Sequence, residues 1–520
     1  MPSRDDLRKF VSVWRGREHS PSEWPQNGVA IEGDFAGIQA FILRPVPGAK
    51  GADKRLRGRS FQVSALTALI AHYVQNLFRG ARITYLAGGR FLLNAPEQEG
   101  WRTTLQSIQS DLDQWIGAQF RGEVVFHLAG VKFENGLIPR AQLRESMNQR
   151  KLRPLSGFLL NHSSWEERNF FRPAGGDAFV CPACLATAAD GREQPDDGGQ
   201  KICDECDRDK QIGADLAASG SVCLEEAENG PIKFLKRSYR VAERGIQVGV
   251  IHHTPKERDT PVTLDEVAQR ARGTKKWLGY LRMDADNVGR AFAEMKDDSA
   301  RVVAFSRFLN GFFCDRVQEM LKHQPGGREP RFQWIYPVYG GGDDLFVIGP
   351  WDLVIDFAND LAKEFNDLVG PDCSFSAGIS LAKPKQHILG KSDEAEEYLT
   401  EHSKKRPGKG CLHVLGETMR WSEVAGQVQK AAKVTRWLDG EILPAQFVQL
   451  ILLLHRRWAA ATDGADRVAH RPLLNYFAER NLCRSDQSGP LGWVRQLIDD
   501  DGAWRRAGFI CRYALLARRR

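Results

Sequence analysis

Two short acidic motifs are where this 520-residue chain could do chemistry: Asp284-Ala285-Asp286-Asn287 and Gly341-Gly342-Asp343-Asp344. Carboxylates gathered within a few ångströms raise one another's pKa and destabilise a fold unless a cation sits among them. Hard oxygen donors with no His or Cys nearby favour magnesium or manganese over zinc. Asp284, Asp286, Asp343 and Asp344 together are therefore a candidate two-metal site. Such a site can lower the pKa of an attacking 3′-hydroxyl and neutralise charge on the phosphoryl group being displaced. Gly341 and Gly342 suit the same chemistry, because a hairpin turn needs positive φ and a missing Cβ lets triphosphate oxygens approach the backbone. Either motif alone is equally well an exposed turn or a helix N-terminus; their joint occurrence at strand ends argues for a site.

The cysteines offer a second chemistry. Cys181-x-x-Cys184 and Cys203-x-x-Cys206 are two knuckles separated by the 18 residues 185–202, the spacing of a four-thiolate zinc ribbon. A redox pair is the competing reading, but two pairs flanking an Asp/Gly-rich loop suit a closed structural zinc site better. The other six cysteines (Cys223, Cys314, Cys373, Cys411, Cys483 and Cys511) stand singly, so the ten are too sparse for a disulfide framework. Phosphate contacts are sought among the cations. A P-loop is ruled out, because Lys385 stands where the first glycine before Gly390-Lys391-Ser392 is required. Lys404 and Lys405, at the end of an expected helix, could reach over a triphosphate or simply complement the helix C-terminus. Lys50, Lys54, Arg55, Arg57 and Arg59 read as a basic loop that either holds RNA or triphosphate oxygens or is merely solvated.

The elements that must position these groups follow from periodicity. Residues 278–283 read as a strand, 300–322 as a helix, 335–339 and 345–348 as a hairpin, and 353–368 as a helix. A strand over 374–381, a helix over 393–404 capped by Ser392, and a strand over 411–415 complete the run. The order β-α-β-β-α-β is the ferredoxin-like palm of many nucleotide polymerases. An earlier block repeats it in part: a strand over 29–35, a basic loop to Arg59, a helix over 60–78, then strands 83–86 and 91–94 around Gly88-Gly89. Asp34 precedes Gly88 by 54 residues and Asp284 precedes Gly341 by 57. Ala36, Arg90 and Phe91 replace three of the four carboxylates, so one palm is degenerate and the other chemically competent. The fold class is α+β. The expected organisation is an N-terminal lead (1–27), a degenerate palm (28–150), a linker domain with the zinc ribbon (151–240), a catalytic palm (241–416) and a helical C-terminal domain (417–520).

Composition agrees with a chain of several globular domains: 42% hydrophobic and 27% charged residues exclude a disordered or collagen-like protein. The longest apolar run, 447–454, is far short of the roughly 20 residues that span a bilayer. The first 30 residues lack the apolar core of a secretory signal, and the cytosol is the expected compartment. A net charge of +7 permits a polyanionic partner without demanding one.

Five segments together carry a resemblance: Gly33-Asp34-Phe35-Ala36-Gly37-Ile38-Gln39, Lys54-Arg55-Leu56-Arg57-Gly58-Arg59-Ser60-Phe61, the four-cysteine insert, Asp284-Ala285-Asp286-Asn287 and Gly341-Gly342-Asp343-Asp344. The chain resembles the large palm-domain subunit of type III CRISPR effector complexes from about residue 28 to 416. The resemblance implies two palms, a zinc-bearing linker and a helical domain that packs beside small subunits. It implies partners, namely CRISPR RNA, target RNA and the backbone and small subunits. It also implies an activity, the conversion of ATP to cyclic oligoadenylates in antiviral defence once target RNA is captured. Carried over, Asp343 and Asp344 are the catalytic, metal-binding carboxylates, with Asp284 and Asp286 as further metal ligands; Asn287, Gly341, Gly342, Lys404 and Lys405 are the candidate nucleotide-binding residues beside them. Many members begin with a His-Asp nuclease domain. None of the twelve histidines here is followed by Asp, and about 27 residues precede the first palm, so no DNA cleavage by that route is expected. A scaffold with vestigial catalysis and a diguanylate cyclase remain as alternatives.

Overall fold

A computed structural model of the chain describes residues 2–18, 25–44, 51–160, 179–189, 191–194, 199–219, 222–296, 298–323, 330–370, 373–462, 468–482 and 489–519. Lys50 and Cys483 lie outside the described residues. The elements used below are, in chain order, β1 (Gly28–Ala36), α1 (Ala52–Leu77), β2 (Arg82–Ala87), β3 (Arg90–Ala95), α2 (Trp101–Phe120), β4 (Val125–Phe133) and α3 (Asp204–Ala218). They continue as β5 (Leu278–Ala285), α4 (Ser299–Asn310), β6 (Tyr336–Gly341), β7 (Asp344–Pro350), α5 (Trp351–Val369), β8 (Phe375–Ala382), α6 (Ile388–Glu397), β9 (Cys411–Val414) and β10 (Glu417–Arg420). Among the described residues no helix is long and apolar enough to cross a membrane.

The chain forms two compact units. The first holds Met1–Thr263, Asn287–Leu345 and Lys385–Leu389; the second holds Leu264–Asp286, Phe346–Pro384 and Gly390–Arg520.

In the first unit, β1 is buried along nearly its whole length and pairs antiparallel with both β3 and β4, giving the order β2-β3-β1-β4. Both neighbours supply a polar partner at one point, because Asp34 stands opposite Arg90 on one side and His127 on the other. Helix α2 and strand β4 complete a β-α-β-β-α-β series that the sequence pattern showed only in part. The expected basic loop is the larger correction. Helix α1 begins at Ala52 rather than near Ser60, so Arg55, Arg57 and Arg59 are helical and buried instead of solvated. Their surroundings explain it: Asp209 of α3 pairs with Arg59, the Gly213 carbonyl accepts from Arg57, and α3 packs on α1 at backbone distance. A Cβ on Gly58 would lie 1.9 Å from the Asp209 carbonyl oxygen, and one on Gly213 would lie 1.9 Å from that of Lys54. Glycine, a poor helix former, is required at both crossings.

In the second unit the strand order is β7-β5-β8-β9-β10, with β5 and β8 antiparallel and β8 and β9 parallel. Helix α5 covers the sheet with an apolar stripe that includes Val354, Ile355, Ala358, Leu361 and Phe365. The Trp351 ring meets Tyr513 of the helix Ala507–Ala517 edge-on at 4.8 Å. Two boundaries differ from expectation. Ser392 is not a cap: α6 begins at Ile388, and the buried Ser392 hydroxyl accepts a hydrogen bond from Arg282. The chain beyond 417 starts with strand β10, antiparallel to β9, before the helices Trp421–Asp439 and Ala445–Ala460. In the first unit, the helix expected over 300–322 runs as α4, a π-helical stretch Gly311–Arg316 and a last turn Val317–Lys322.

Candidate active site

The Gly88-Gly89 turn between β2 and β3 and the Gly341–Asp343 turn between β6 and β7 both use left-handed glycine backbone, with φ of 58° and 85° at the first pair and 65° at Gly342. The Gly342 amide donates to the Asn310 side-chain oxygen at the end of α4 (3.4 Å). Both turns line one cavity of about 390 Å³ within the first unit, in the size range of small-molecule sites.

The two ends of this cavity differ in charge. At one end Asp34 accepts from Arg90 Nε (3.3 Å) and Nη2 (3.4 Å) and is ion-paired with Lys151, so that carboxylate is already neutralised. Burial pushes the pKa of neighbouring Glu32 up, against the pull of Arg90. At the other end stand Asp343 and Asp344. Among the described residues Asp343 makes no ion pair, and Gln39 Nε2 reaches Asp344 Oδ2 in a long 3.5 Å hydrogen bond. Tyr85 lies between the two ends, its hydroxyl kept protonated chiefly by burial, with Asp343 acting in the same direction. Ser60 and Ser64 of α1 complete the polar lining. An acidic end and a basic end in one cavity are what a bound metal–triphosphate needs at its opposite charges.

The remaining acidic motif lies in the second unit. Asp284, opposite Ser376 in the β5–β8 register, forms an ion pair with Lys404. Asp286 is only 6% exposed, and its carboxylate accepts from Ser374 Oγ (2.7 Å), Ser376 Oγ (2.9 Å) and the Gly410 amide (3.0 Å). Three donors occupy its oxygens, so Asp286 fastens β5 to β8 and to the turn before β9. Lys405 pairs with Glu401 one helical turn back. Asn287 is the left-handed residue (φ 58°) that precedes the short helix Val288–Glu294 in the first unit.

The four cysteines of the insert are buried free thiols whose sulfurs all lie within 4.8 Å of one another. The Cys203 amide donates to Cys181 Sγ at 3.3 Å. Four convergent thiols without a disulfide fit a tetrahedral zinc ion better than a redox pair. Gln39, Tyr85, Ser60 and Ser64 were not singled out as site residues from sequence. Their only signal was position: Gln39 follows the Asp34 motif, and Ser60 ends the basic run.

Mainly antiparallel sheets in a β-α-β-β-α-β order, carrying glycine turns onto a polar cavity, have the form of palm-type α+β domains. Residues 277–413 match the family model of the Cas10/Cmr2 second palm domain, and residues 29–155 match that of Csm1 subunit domain B. The chain is 25% identical over 442 residues to the Cas10/Csm1 single-strand-specific deoxyribonuclease (subtype III-A) of Thermococcus onnurineus, covering 75% of this chain and 55% of that one. It is 26% identical over 458 residues to the Mycobacterium tuberculosis protein of the same description, covering 76% and 55%. The chain thus spans about half the length of the curated relatives it matches. Among solved structures, a Csm1–Csm4 cassette in complex with cA3 superposes with a TM-score of 0.69 at 16% identity, over 98% of this chain and 72% of that one. A Csm1–Csm4 cassette in complex with one ATP gives the same values. The chain is thus similar, in both palm regions and over three quarters of its length, to the Cas10/Csm1 large subunits of type III CRISPR systems.

Proposed function

We propose that this chain is a target-RNA-activated nucleotidyl cyclase, joining ATP units into cyclic oligoadenylates within a type III effector complex. The observation that carries the reading is the single cavity shared by the two glycine turns, with Asp343 and Asp344 at one end and Arg90 at the other. Two relatives of like fold were crystallised with ATP and with cA3, which supports the same ligand class here. Asp343, Asp344 and Asp284 are the proposed ligands of magnesium or manganese; bound there, the metals would activate a 3′-hydroxyl and offset charge on the phosphoryl group. Attack of that hydroxyl on the α-phosphorus forms the phosphodiester bond and expels pyrophosphate. Gly341 and Gly342 would leave room for the triphosphate, and Asn287, Lys404 and Lys405 are the further residues proposed to contact the nucleotide. Asp286, first counted among the ligands, is reassigned to positioning because its oxygens are already engaged.

The same reading takes residues 28–150 as the degenerate palm, 151–240 as the linker, 241–416 as the catalytic palm and 417–520 as the C-terminal domain. Cys181, Cys184, Cys203 and Cys206 hold a structural zinc. CRISPR RNA, target RNA and the backbone and small subunits are the proposed partners, and the cytoplasm the compartment. The assembled complex incubated with labelled ATP or GTP, magnesium and matched target RNA tests it. Cyclic adenylates identified by mass support the proposal; no product points to a scaffold, and a guanine dinucleotide to a diguanylate cyclase.

A further inference from the structure

We propose that Arg59 is a positioning residue that fastens the wall of the nucleotide cavity to the four-cysteine centre, so that metal at the cysteines sets nucleotide affinity. The inference rests on the reading just given, in which the cavity takes ATP and the cysteines take zinc.

The Arg59 side chain is 2% exposed and its three nitrogens serve three different structures. Nε donates to Asp209 Oδ2 of α3 (2.6 Å), Nη1 to the Phe41 carbonyl (3.1 Å) and Nη2 to Cys206 Sγ (3.8 Å). The guanidinium also lies over the Phe41 ring, 5.4 Å from its centroid. Phe41 belongs to the short helix Ile38–Leu43, whose Ile38, Gln39 and Ile42 line the cavity, and Gln39 is the residue that reaches Asp344. Ser60, the residue after Arg59, and Ser64 one turn on line the same cavity. A single guanidinium therefore joins a zinc-type thiol to both segments of the wall.

Two further features make this joint stiff. The α1 and α3 backbones touch at Gly58 and Gly213, with Arg57 Nη1 donating to the Gly213 carbonyl (2.8 Å). Arg44, at the end of the Phe41 helix, is ion-paired with Glu123. A four-thiolate zinc centre carries a formal charge of about −2, and the Arg59 donor at Cys206 Sγ offsets part of that charge. Outer donors of this kind orient and tune metal ligands. Zinc bound at the cysteines would fix the Cys206 sulfur in place, and with it one of the three anchors of the Arg59 fork.

The test uses the full chain with Arg59→Lys, which keeps a cation for Asp209 but loses the planar fork. Three quantities are read: the thiolate-to-cobalt absorption of the cobalt(II)-substituted protein, amide exchange over 38–44 and 60–64, and affinity for a non-hydrolysable ATP analogue with magnesium. Expected are a shifted cobalt band, zinc affinity lower by about 10–100-fold, faster exchange in both segments, and analogue binding weaker by about fivefold or more. Chelating zinc from the wild-type chain should reproduce the last two changes, and this arm decides the matter if the variant does not fold. Zinc-free wild-type chain that stays folded with unchanged exchange and unchanged analogue affinity overturns the proposal. If zinc-loaded wild-type chain binds no analogue, the nucleotide reading fails instead, and exchange over 38–44 and 60–64 still judges the coupling.

Discussion

Gly88 and Gly341 touch: a Cβ on the first would lie 3.3 Å from the carbonyl oxygen of the second, and a Cβ on the second 3.4 Å from the amide nitrogen of the first. The turn that carries Arg90 is thereby the packing partner of the turn that carries Asp343 and Asp344. Gly88→Val adds strain of about 1–2 kcal/mol at φ 58° and pushes the two turns apart. Product formation by the assembled complex should fall while zinc content is unchanged; a variant of wild-type activity would show that the contact is dispensable.

Asp343→Ala with Asp344→Ala removes the acidic end of the cavity. Nucleotide product, quantified by mass, is expected to drop by about a thousandfold or more, with binding of CRISPR RNA and target RNA retained. Surviving product would refute the site assignment.

Asp284 and Asp286 should separate cleanly. Asp286→Ala leaves the hydroxyls of Ser374 and Ser376 and the Gly410 amide without their acceptor, at a cost of about 3 kcal/mol, visible as a lower denaturation midpoint. Asp284→Ala should leave that midpoint nearly unchanged and abolish product. The reverse pattern would exchange the two roles.

Much of this site was readable in sequence because its parts are local. Glycine-flanked carboxylates at strand ends and paired cysteine knuckles have a spacing that the backbone itself imposes. The basic run was misread because burial of Arg55, Arg57 and Arg59 depends on α3, about 150 residues later, and on glycines at Gly58 and Gly213 whose need is set by that crossing. Asp286 was counted with the metal ligands because nothing in its own motif shows that Ser374, Ser376 and Gly410 converge on it. Gln39 and Tyr85 are ordinary residues on their own elements and gain meaning only from the cavity they share.

Glu417 gives a pH signature. Burial pushes its carboxyl up to about 7, although the Phe509 amide and Arg506 favour the charged form. The folded state then holds a proton that the unfolded chain has released above its ordinary value of 4.5. The contribution of this group to stability is full below about pH 4.5, is lost as pH rises to about 7, and is level beyond, a loss of about 3 kcal/mol. Glu417→Gln keeps an acceptor for Phe509, so it should remove this part of the slope and raise the melting temperature at pH 8. An unchanged pH dependence would contradict the shift.

Cys181→Ser with Cys184→Ser should lower solubility and melting temperature, since the insert relies on metal for much of its folding energy. A soluble variant that melts as the wild type and binds no zinc would argue against a structural role.

The backbone contact of α1 with α3 also limits how the chain can be trimmed. Excising the cysteine module to leave only sheets and turns would strip Asp209 from Arg59 and the Gly213 carbonyl from Arg57, bare the buried Arg55, and open a notch at Gly58. The remnant would present a sticky cationic stripe, so a minimal enzyme made that way is expected to precipitate with any polyanion at hand.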